Sequence, residues 1–377
     1  MMKIISVFGT RPEAVKMAPV VAELKKHAAV ESKVLVTAQH RDMLDQVLDI
    51  FGIAPDYDLD VMQDNQTPTD VAAEVLRRIQ PILRDERPDW ILVQGDTTTV
   101  LAASLAAFYN RVKVGHVEAG LRTYNRYNPF PEEINRVLAD QLSDLHFAPT
   151  ETAKRALLKE AIPPERIHVT GNTVIDALRF IVSRPLNGDA PPGDVPPERL
   201  YPSDKRLVLV TAHRRENFGR PFANMLAALK QIADRPDVHL LYPVHPNPNV
   251  RGPAHEVLGA HPHVTLLPPM DYLSFAHLMG KAHLILTDSG GIQEEAPGLG
   301  VPVLVMRVVT ERPEAVEAGT AKLVGTDTAT IVREAMRLLD DPAAHAAMAQ
   351  AVNPFGDGHA AERIVQLLLQ SAAVSSQ

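Results

Sequence analysis

The 377-residue sequence contains no cysteine. That absence removes disulfides, thiolate nucleophiles and cysteine-ligated metals from consideration. It has no excess of positive charge either: 38 Lys and Arg stand against 46 Asp and Glu, a formal net charge of -8. A nucleic-acid surface would call for basic patches, so nucleic acid is not an expected partner. No apolar run approaches the ~20 residues a membrane helix needs. The start, Met1-Met2-Lys3-Ile4-Ile5-Ser6-Val7, reads at once as a strand and lacks a signal-peptide pattern. The expectation is a cytoplasmic protein without a membrane partner. Two glycine signatures are missing as well. The turn after the first strand is neither a dinucleotide fingerprint nor a P-loop, and neither a cofactor nor a metal is expected.

What is present is the profile of a globular protein, with 45% hydrophobic and 22% charged residues. The length suits two cores rather than one. Strand-like and helical runs alternate along the chain, which implies parallel sheets covered on both faces. The first half offers strands at 3–8, 33–38, 89–93, 112–115, 145–148 and 167–170. A polar loop is expected over 55–68, where Asp58-Leu59-Asp60 reads as a solvated acidic pair. The alternation breaks in a Pro- and Gly-dense stretch between Arg184 and Lys205 and restarts at Arg206. Strands are expected there at 206–211, 239–242, 264–267, 284–287 and 301–305. The domains so defined are 1–184 and 205–357, with a closing helix in 358–377 packed back on the body. Two α/β halves of doubly wound, Rossmann-like type leave a cleft between them, a favoured place for a ligand.

The chemistry is expected between Gln94 and Arg136. Two strands there end in polar, Gly-containing turns carrying one carboxylate each, Asp96 and Glu118, and Glu132 or Glu133 follows a Pro-rich loop at a helix start. In an open parallel sheet, ligands sit beyond the carboxyl ends of the strands. Carboxylates converging there repel, and one tends to keep a proton, which suits proton transfer at a weakly acidic carbon. The bland alternative makes Asp96 the cap of a helix starting near Thr97, Glu132 a helix-start residue and Glu118 a solvated loop residue.

Charge of the opposite sign surrounds these turns. Gly9-Thr10-Arg11-Pro12 leads a strand into a helix, an arrangement that favours anions, with Arg11 and Lys16 adding mobile positive charge. Pro12 is expected at the first helical position. In the second half, Thr211 to Asn217 places His213 after a strand, as a donor to phosphate, as an acid or as a packing residue. Ser289-Gly290-Gly291 again follows a strand and opens a helix, where backbone N–H groups can hold a diphosphate. Glu295, one turn on, is placed to accept from ribose hydroxyls, and Arg312 to clamp phosphate.

Taken together these stretches resemble the non-hydrolysing UDP-N-acetylglucosamine 2-epimerases of bacteria. The matching pieces run through almost the whole chain: Phe8 to Ala14, Thr37 to Arg41, Gly95 to Thr99, Gly115 to Thr123, Pro131 to Arg136, Thr170 to Thr173, Ala212 to Asn217, Tyr242 to Asn247, Thr287 to Pro297, Thr310 to Glu314 and Asn353 to Gly358. The resemblance implies the glycosyltransferase-B architecture of two Rossmann-like domains. It implies interconversion of UDP-N-acetylglucosamine and UDP-N-acetylmannosamine by expulsion and return of UDP through an unsaturated sugar, without a cofactor. It gives the proton work to Asp96, Glu118 and Glu132, with no assignment of which acts on which face, and includes His213 in the catalytic set. It gives substrate or leaving-group binding to Arg11, Lys16, Ser289, Gly290, Gly291, Glu295 and Arg312, with Phe275 beside the uracil. It further implies a homodimer, and activation by UDP-N-acetylglucosamine at a second site formed by Gln39, Gln66, Arg214 and His245. Two departures from the family pattern stand out: Asn65 where relatives carry arginine, and Val308 where an aspartate is usual. The alternatives are a hydrolysing epimerase that releases N-acetylmannosamine and UDP, a glycosyltransferase of the same fold, and a nucleotide-sugar sensor without turnover.

Overall fold

The structure is a computed structural model that describes residues 1–37, 41–62, 66–184 and 204–374. The chain divides into two units, residues 1–177 with 355–377, and residues 178–354. The division falls within the helix Thr173–Ser183. It precedes the Pro- and Gly-dense stretch expected to mark it, most of which lies outside the described residues. Residues 355–357, expected with the second half, join the first.

Unit 1 is built on seven parallel strands: β1 (Met2–Phe8), β2 (Val30–Val36), β3 (Tyr57–Asp58), β4 (Trp90–Gln94), β5 (Lys113–Val117), β6 (Leu145–Ala148) and β7 (Ile167–Val169). Their order across the sheet is β3-β2-β1-β4-β5-β6-β7. The chain therefore winds outward one way from β1 and, after returning to β4, the other way. The switch point lies between β1 and β4, and it is there that the carboxyl ends of neighbouring strands diverge and leave room for a ligand. Strand β3 lies within what the sequence shows as a polar loop. Its two residues pair with Leu35 and Val36 at the sheet edge, too short a run for periodicity to register. Ile5, Val7, Ile91, Val93 and Val114 form the interior of this sheet with Val100, Ala103 and Ala107 of the helix Thr98–Tyr109. That helix packs between Pro68–Glu86 and Glu132–Leu142. The start of the last of these is thereby fixed on the same sheet as the β4 turn. The closing helix Ala360–Val374 packs on Arg11–Leu24, and Asp176 accepts from its first amides, Ala360 N at 3.3 Å and Ala361 N at 2.8 Å.

Unit 2 repeats the plan with six parallel strands: β8 (Arg206–Thr211), β9 (Val238–Pro243), β10 (Val264–Leu267), β11 (Leu284–Thr287), β12 (Val303–Val305) and β13 (Ala321–Leu323). Their order is β10-β9-β8-β11-β12-β13, so the switch point lies between β8 and β11. Strand β13 was not expected from the sequence. Val208, Val210, Leu240, Tyr242, Leu286 and Leu304 join Met225, Leu229, Ile232 and Ile331 in one core. Both units are doubly wound, Rossmann-like α/β sheets, the domain type of the glycosyltransferase-B fold class. No helix among the described residues is long and apolar enough to cross a membrane.

Candidate active site

At the switch point of unit 1, β1 runs into the helix Arg11–Leu24 through Gly9 and Thr10. Thr10 is the N-cap, so Pro12 sits in the second helical position rather than the first. A Cβ on Gly9 would stand 2.0 Å from Thr37 Oγ1, so only glycine lets this turn close. Glu13 reaches back over it: its Oε2 accepts from Gly9 N at 3.0 Å and Thr10 N at 2.7 Å, and its Oε1 accepts from Thr97 Oγ1 at 2.7 Å. A single buried carboxylate thus joins the turn after β1 to the turn after β4.

The β4 turn carries Asp96. The helix that follows is capped by Thr97, whose side chain accepts from Val100 N. The bland reading of Asp96 as that cap is therefore corrected. With the capping position taken by a threonine, the Asp96 carboxylate is not spent on the helix start. The turn itself is held by its carbonyls. Asn135 Nδ2 donates to Asp96 O at 3.0 Å, and His116 Nε2 meets Gly95 O at 2.7 Å. Gly95 has φ of 80°, a conformation glycine adopts without cost. Arg136 Nε lies 3.6 Å from Asp96 Oδ2. Burial, the largest influence, and the nearby charge of Glu132 push the Asp96 carboxyl above its ordinary value; Arg136, Lys16 and His116 act against them. About a third of the side chain, 33%, still reaches solvent.

Glu118 stands at the end of β5 with φ of 65°. That left-handed conformation costs a non-glycine residue about 1–2 kcal/mol. Surrounding contacts hold it: Glu118 N donates to Phe147 O at 3.0 Å, and Glu118 Oε2 accepts from Gln94 Nε2 at 2.8 Å and pairs with the Lys16 ammonium. Lys16 therefore joins the helix after β1 to the β5 turn while also acting on Asp96. Glu132 is the first residue of its helix, half-buried, with its charge acting on Asp96. Its neighbour Glu133 has another task. It accepts from Thr123 N at 3.0 Å and Tyr124 N at 2.8 Å and pairs with Arg136 at 3.2 Å. Of the two adjacent glutamates, Glu133 holds the loop, and Glu132 is the one whose charge acts on Asp96. Asp96, Glu118, Glu132 and Lys16 thus form one electrostatic cluster at the sheet's carboxyl ends, with Arg11, half-buried, on the same helix as Lys16.

At the switch point of unit 2, Asp288 plays the anchoring role. It is fully buried and accepts from His213 N at 2.9 Å, Arg214 N at 2.8 Å and Asn217 Nδ2 at 3.1 Å. These bonds fix the turn after β8 to the turn after β11. His213 stacks on His245, with ring centroids 5.4 Å apart. Burial lowers the His213 pKa, and His245 and Arg214 add to this while Asp288 opposes it. The imidazole is therefore neutral at neutral pH, able to donate through one nitrogen or accept through the other. Ser289 opens the helix Gly290–Glu295 without a side-chain cap bond. A Cβ on Gly290 would meet Arg214 Nη2 at 3.6 Å, which places that guanidinium beside the glycine turn. Glu295 accepts from Tyr272 OH at 3.2 Å. Arg312 pairs with Glu294 and takes its backbone from Thr310, whose hydroxyl accepts Arg312 N at 3.0 Å. Phe275 lies half-buried on the helix Tyr272–Lys281. Of the residues expected at a second site, Gln66 donates to Val61 O at 2.8 Å and His245 is exposed, while Gln39 lies outside the described residues, as does Asn65, the departure beside Gln66. Among the described residues no group of three or more His, Asp or Glu is placed to hold a metal ion.

Four residues that support these turns carried no role in the sequence reading: Glu13, His116, Asp140 and Asp288. One signal pointed to the third. In the helix Glu132–Leu142, Glu133, Arg136 and Asp140 are all buried, and at spacings of three and four they share one helical face. A charged stripe where apolar residues belong marks a helix packed on polar machinery rather than on a core.

Comparison with known proteins agrees with this geometry. A family model described as UDP-N-acetylglucosamine 2-epimerase matches residues 22–369. A UDP-N-acetylglucosamine 2-epimerase of Salmonella typhimurium is 55% identical over 371 residues, covering 97% of this chain and 98% of that protein. One from Escherichia coli is 54% identical with the same coverage. The crystal structure of the Neisseria meningitidis UDP-GlcNAc 2-epimerase, bound to UDP-GlcNAc, superimposes with a TM-score of 0.84 at 49% identity, covering 98% of this chain and 100% of that one.

Proposed function

The chain belongs to the UDP-N-acetylglucosamine 2-epimerase family, and from that premise we propose that it inverts carbon 2 without hydrolysis, by eliminating UDP and adding it back. The hydrogen on carbon 2 is not acidified by any neighbouring carbonyl, so direct deprotonation is too costly. Elimination avoids this: the bond from carbon 1 to the diphosphate oxygen breaks, the carbon 2 proton passes to a carboxylate, and an unsaturated sugar remains beside UDP. In the return step a proton is delivered to the opposite face of carbon 2 and the diphosphate oxygen closes on carbon 1. Atoms balance, and no oxidant is consumed.

The observation that carries this reading is the cluster of Asp96, Glu118 and Glu132 around Lys16. Proton removal and proton delivery on two faces need groups with different proton affinities. Asp96, raised by burial and by Glu132, and Glu118, bonded to Lys16 and Gln94, stand in different environments. In unit 2 the amides of Ser289, Gly290 and Gly291 take the diphosphate, Glu295 the ribose and Phe275 the uracil side. His213, Arg11 and Arg312 stabilise the departing charge, commonly a leading catalytic contribution. The second-site role of Gln39, Gln66, Arg214 and His245 belongs to the same reading. It is supported by the stacking of His245 on His213, which gives an activator a direct route to a catalytic group. The protein is read as a cytoplasmic homodimer supplying the N-acetylmannosamine unit of cell-surface polysaccharides.

Positional isotope exchange tests the elimination. With 18O in the oxygen bridging carbon 1 and the β-phosphorus, breaking that bond lets the phosphate rotate. Label scrambled into the non-bridging positions is the expected result. Epimerisation with all label retained in the bridge contradicts elimination.

A further inference from the structure

Beneath the Asp96 turn lies a chain of buried groups that the reaction as described does not use. His116 projects from β5 with its side chain wholly buried, and each ring nitrogen faces an oxygen. Nδ1 is 2.6 Å from Asp140 Oδ1, and Nε2 is 2.7 Å from Gly95 O. A carbonyl oxygen has no proton to give, so the nitrogen facing it must carry one. Asp140 is held as a carboxylate by its other contacts: Oδ2 accepts from Arg122 Nη2 at 2.6 Å and Gly120 N at 3.3 Å. The nitrogen facing Asp140 must then carry a proton as well. A neutral ring would press a lone pair against an oxygen on one side at hydrogen-bond distance.

Resting on the reading of Asp96 as a reacting group, we propose that His116 is a permanent buried imidazolium. It positions the Asp96 turn through the Gly95 carbonyl and lowers the proton affinity of the Asp96 carboxylate with its charge. Such a charge survives burial because it is matched. Arg122 and His116 face Asp140, and Arg122 also pairs with Glu160 at 2.7 Å, so two cations meet two anions. Desolvation works against the charged ring, and the charge and hydrogen bond of Asp140 with the Gly95 carbonyl overcome it, leaving the pKa of His116 above its ordinary value. His146, whose Nε2 meets Asp140 O at 2.7 Å, keeps to the other side of the aspartate, and its own pKa is lowered by burial. The groups facing Asp96 are Arg136 and Lys16, which favour its ionised form, and Glu132, which opposes it; His116 is the fourth. It differs from them in being fully buried, where solvent and salt screen it least. His116 touches no substrate on this account and is a positioning residue.

Two measurements on the full chain decide the matter. In 15N spectra of histidine-labelled protein, His116 is identified by its loss in His116→Gln. The expected result is two protonated ring nitrogens well above the ordinary histidine value of ~6.5. One unprotonated nitrogen at that pH overturns the proposal. In His116→Gln the amide replaces the donor to Gly95 O without the charge, so the Asp96 carboxyl gains proton affinity by about tenfold, one pH unit, as expected for loss of a nearby unit charge. The Asp96 carboxyl carbon resonance reads that shift directly, and the corresponding limb of the kcat/KM profile moves to higher pH whether Asp96 acts as acid or as base. A resonance and limb that stay in place overturn the tuning role, whereas a merely structural role would lower the rate without moving either. Because the carbon resonance needs no turnover, a failed epimerase assay counts against the reaction and leaves this test intact. Should His116→Gln not fold, Asp140→Asn serves in its place. It withdraws the carboxylate that holds the ring charged; because a negative charge leaves with the nearer positive one, a smaller upward movement is expected.

Discussion

Arg136 Nε stands 3.6 Å from Asp96 Oδ2 and has no hydrogen-bond partner among the described residues. The contact is a charge interaction, too long for a hydrogen bond. The guanidinium is bound instead to Glu133 at 3.2 Å. A cation is thus kept close to Asp96 without a hydrogen bond that ties the carboxylate down, as the proton exchange proposed for it requires.

Replacing Asp96 by Asn removes the exchangeable proton and little else. Turnover is expected to fall by about two to four orders of magnitude, the usual worth of a positioned acid or base. UDP binding, measured by calorimetry, is expected to stay within about threefold, less than ~0.7 kcal/mol. A variant with normal turnover shows that Asp96 does no proton transfer.

The same substitution has a stability consequence of the opposite sign. Asp96 has a raised pKa in the folded protein, chiefly from burial. The folded state then binds this proton more tightly than the unfolded chain, and the ionised group costs stability once pH exceeds its unfolded value. Asp96→Asn is expected to melt at higher temperature than the parent at neutral pH, by at most about 4 °C for units of this size. The gap should close as pH falls through the Asp96 pKa and the parent takes up the proton. Melting curves between pH 3 and 8 check this, and a variant less stable at neutral pH shows that Lys16 and Arg136 outweigh burial.

Asp288 presents the reverse case, a carboxylate whose value is in being bonded. Asp288→Ala takes the acceptor from His213 N and Arg214 N and leaves Asn217 Nδ2 only its long contact to Met306 O at 3.5 Å. Each buried donor left unmade costs about 1–3 kcal/mol. The loss is expected to appear in the unfolding transition of unit 2, as about 3 kcal/mol or more, with that of unit 1 unmoved. Denaturant titration followed by hydrogen exchange separates the two units. An unchanged unit 2 midpoint refutes the anchoring role.

The strands and most helices were legible because apolar runs of Val, Ile and Leu alternate with amphipathic ones. Misses fell where the signal is short or tertiary. Strand β3 is two residues at an edge, and β13 is three. The turn carboxylates Asp96, Glu118 and Glu132 were visible as acids at strand ends and helix starts. Their supports were not, because Glu13, Asp140 and Asp288 act across the fold: Glu13 binds Thr97, 84 positions on, and Asp288 binds His213, 75 positions back. No local pattern announces a hydrogen bond between turns brought together only by a parallel sheet. Thr97 shows the limit from the other side. Two adjacent residues could fill one capping position, and Thr97 fills it.

The most direct test runs the reaction on UDP-N-acetylglucosamine in heavy water. If carbon 2 loses its hydrogen to a carboxylate and regains one from the site, both nucleotide sugars recovered at equilibrium carry deuterium at carbon 2. UDP-N-acetylmannosamine accumulates and free sugar stays negligible. Release of N-acetylmannosamine in step with UDP, or epimerised product that has kept its original hydrogen, contradicts the account.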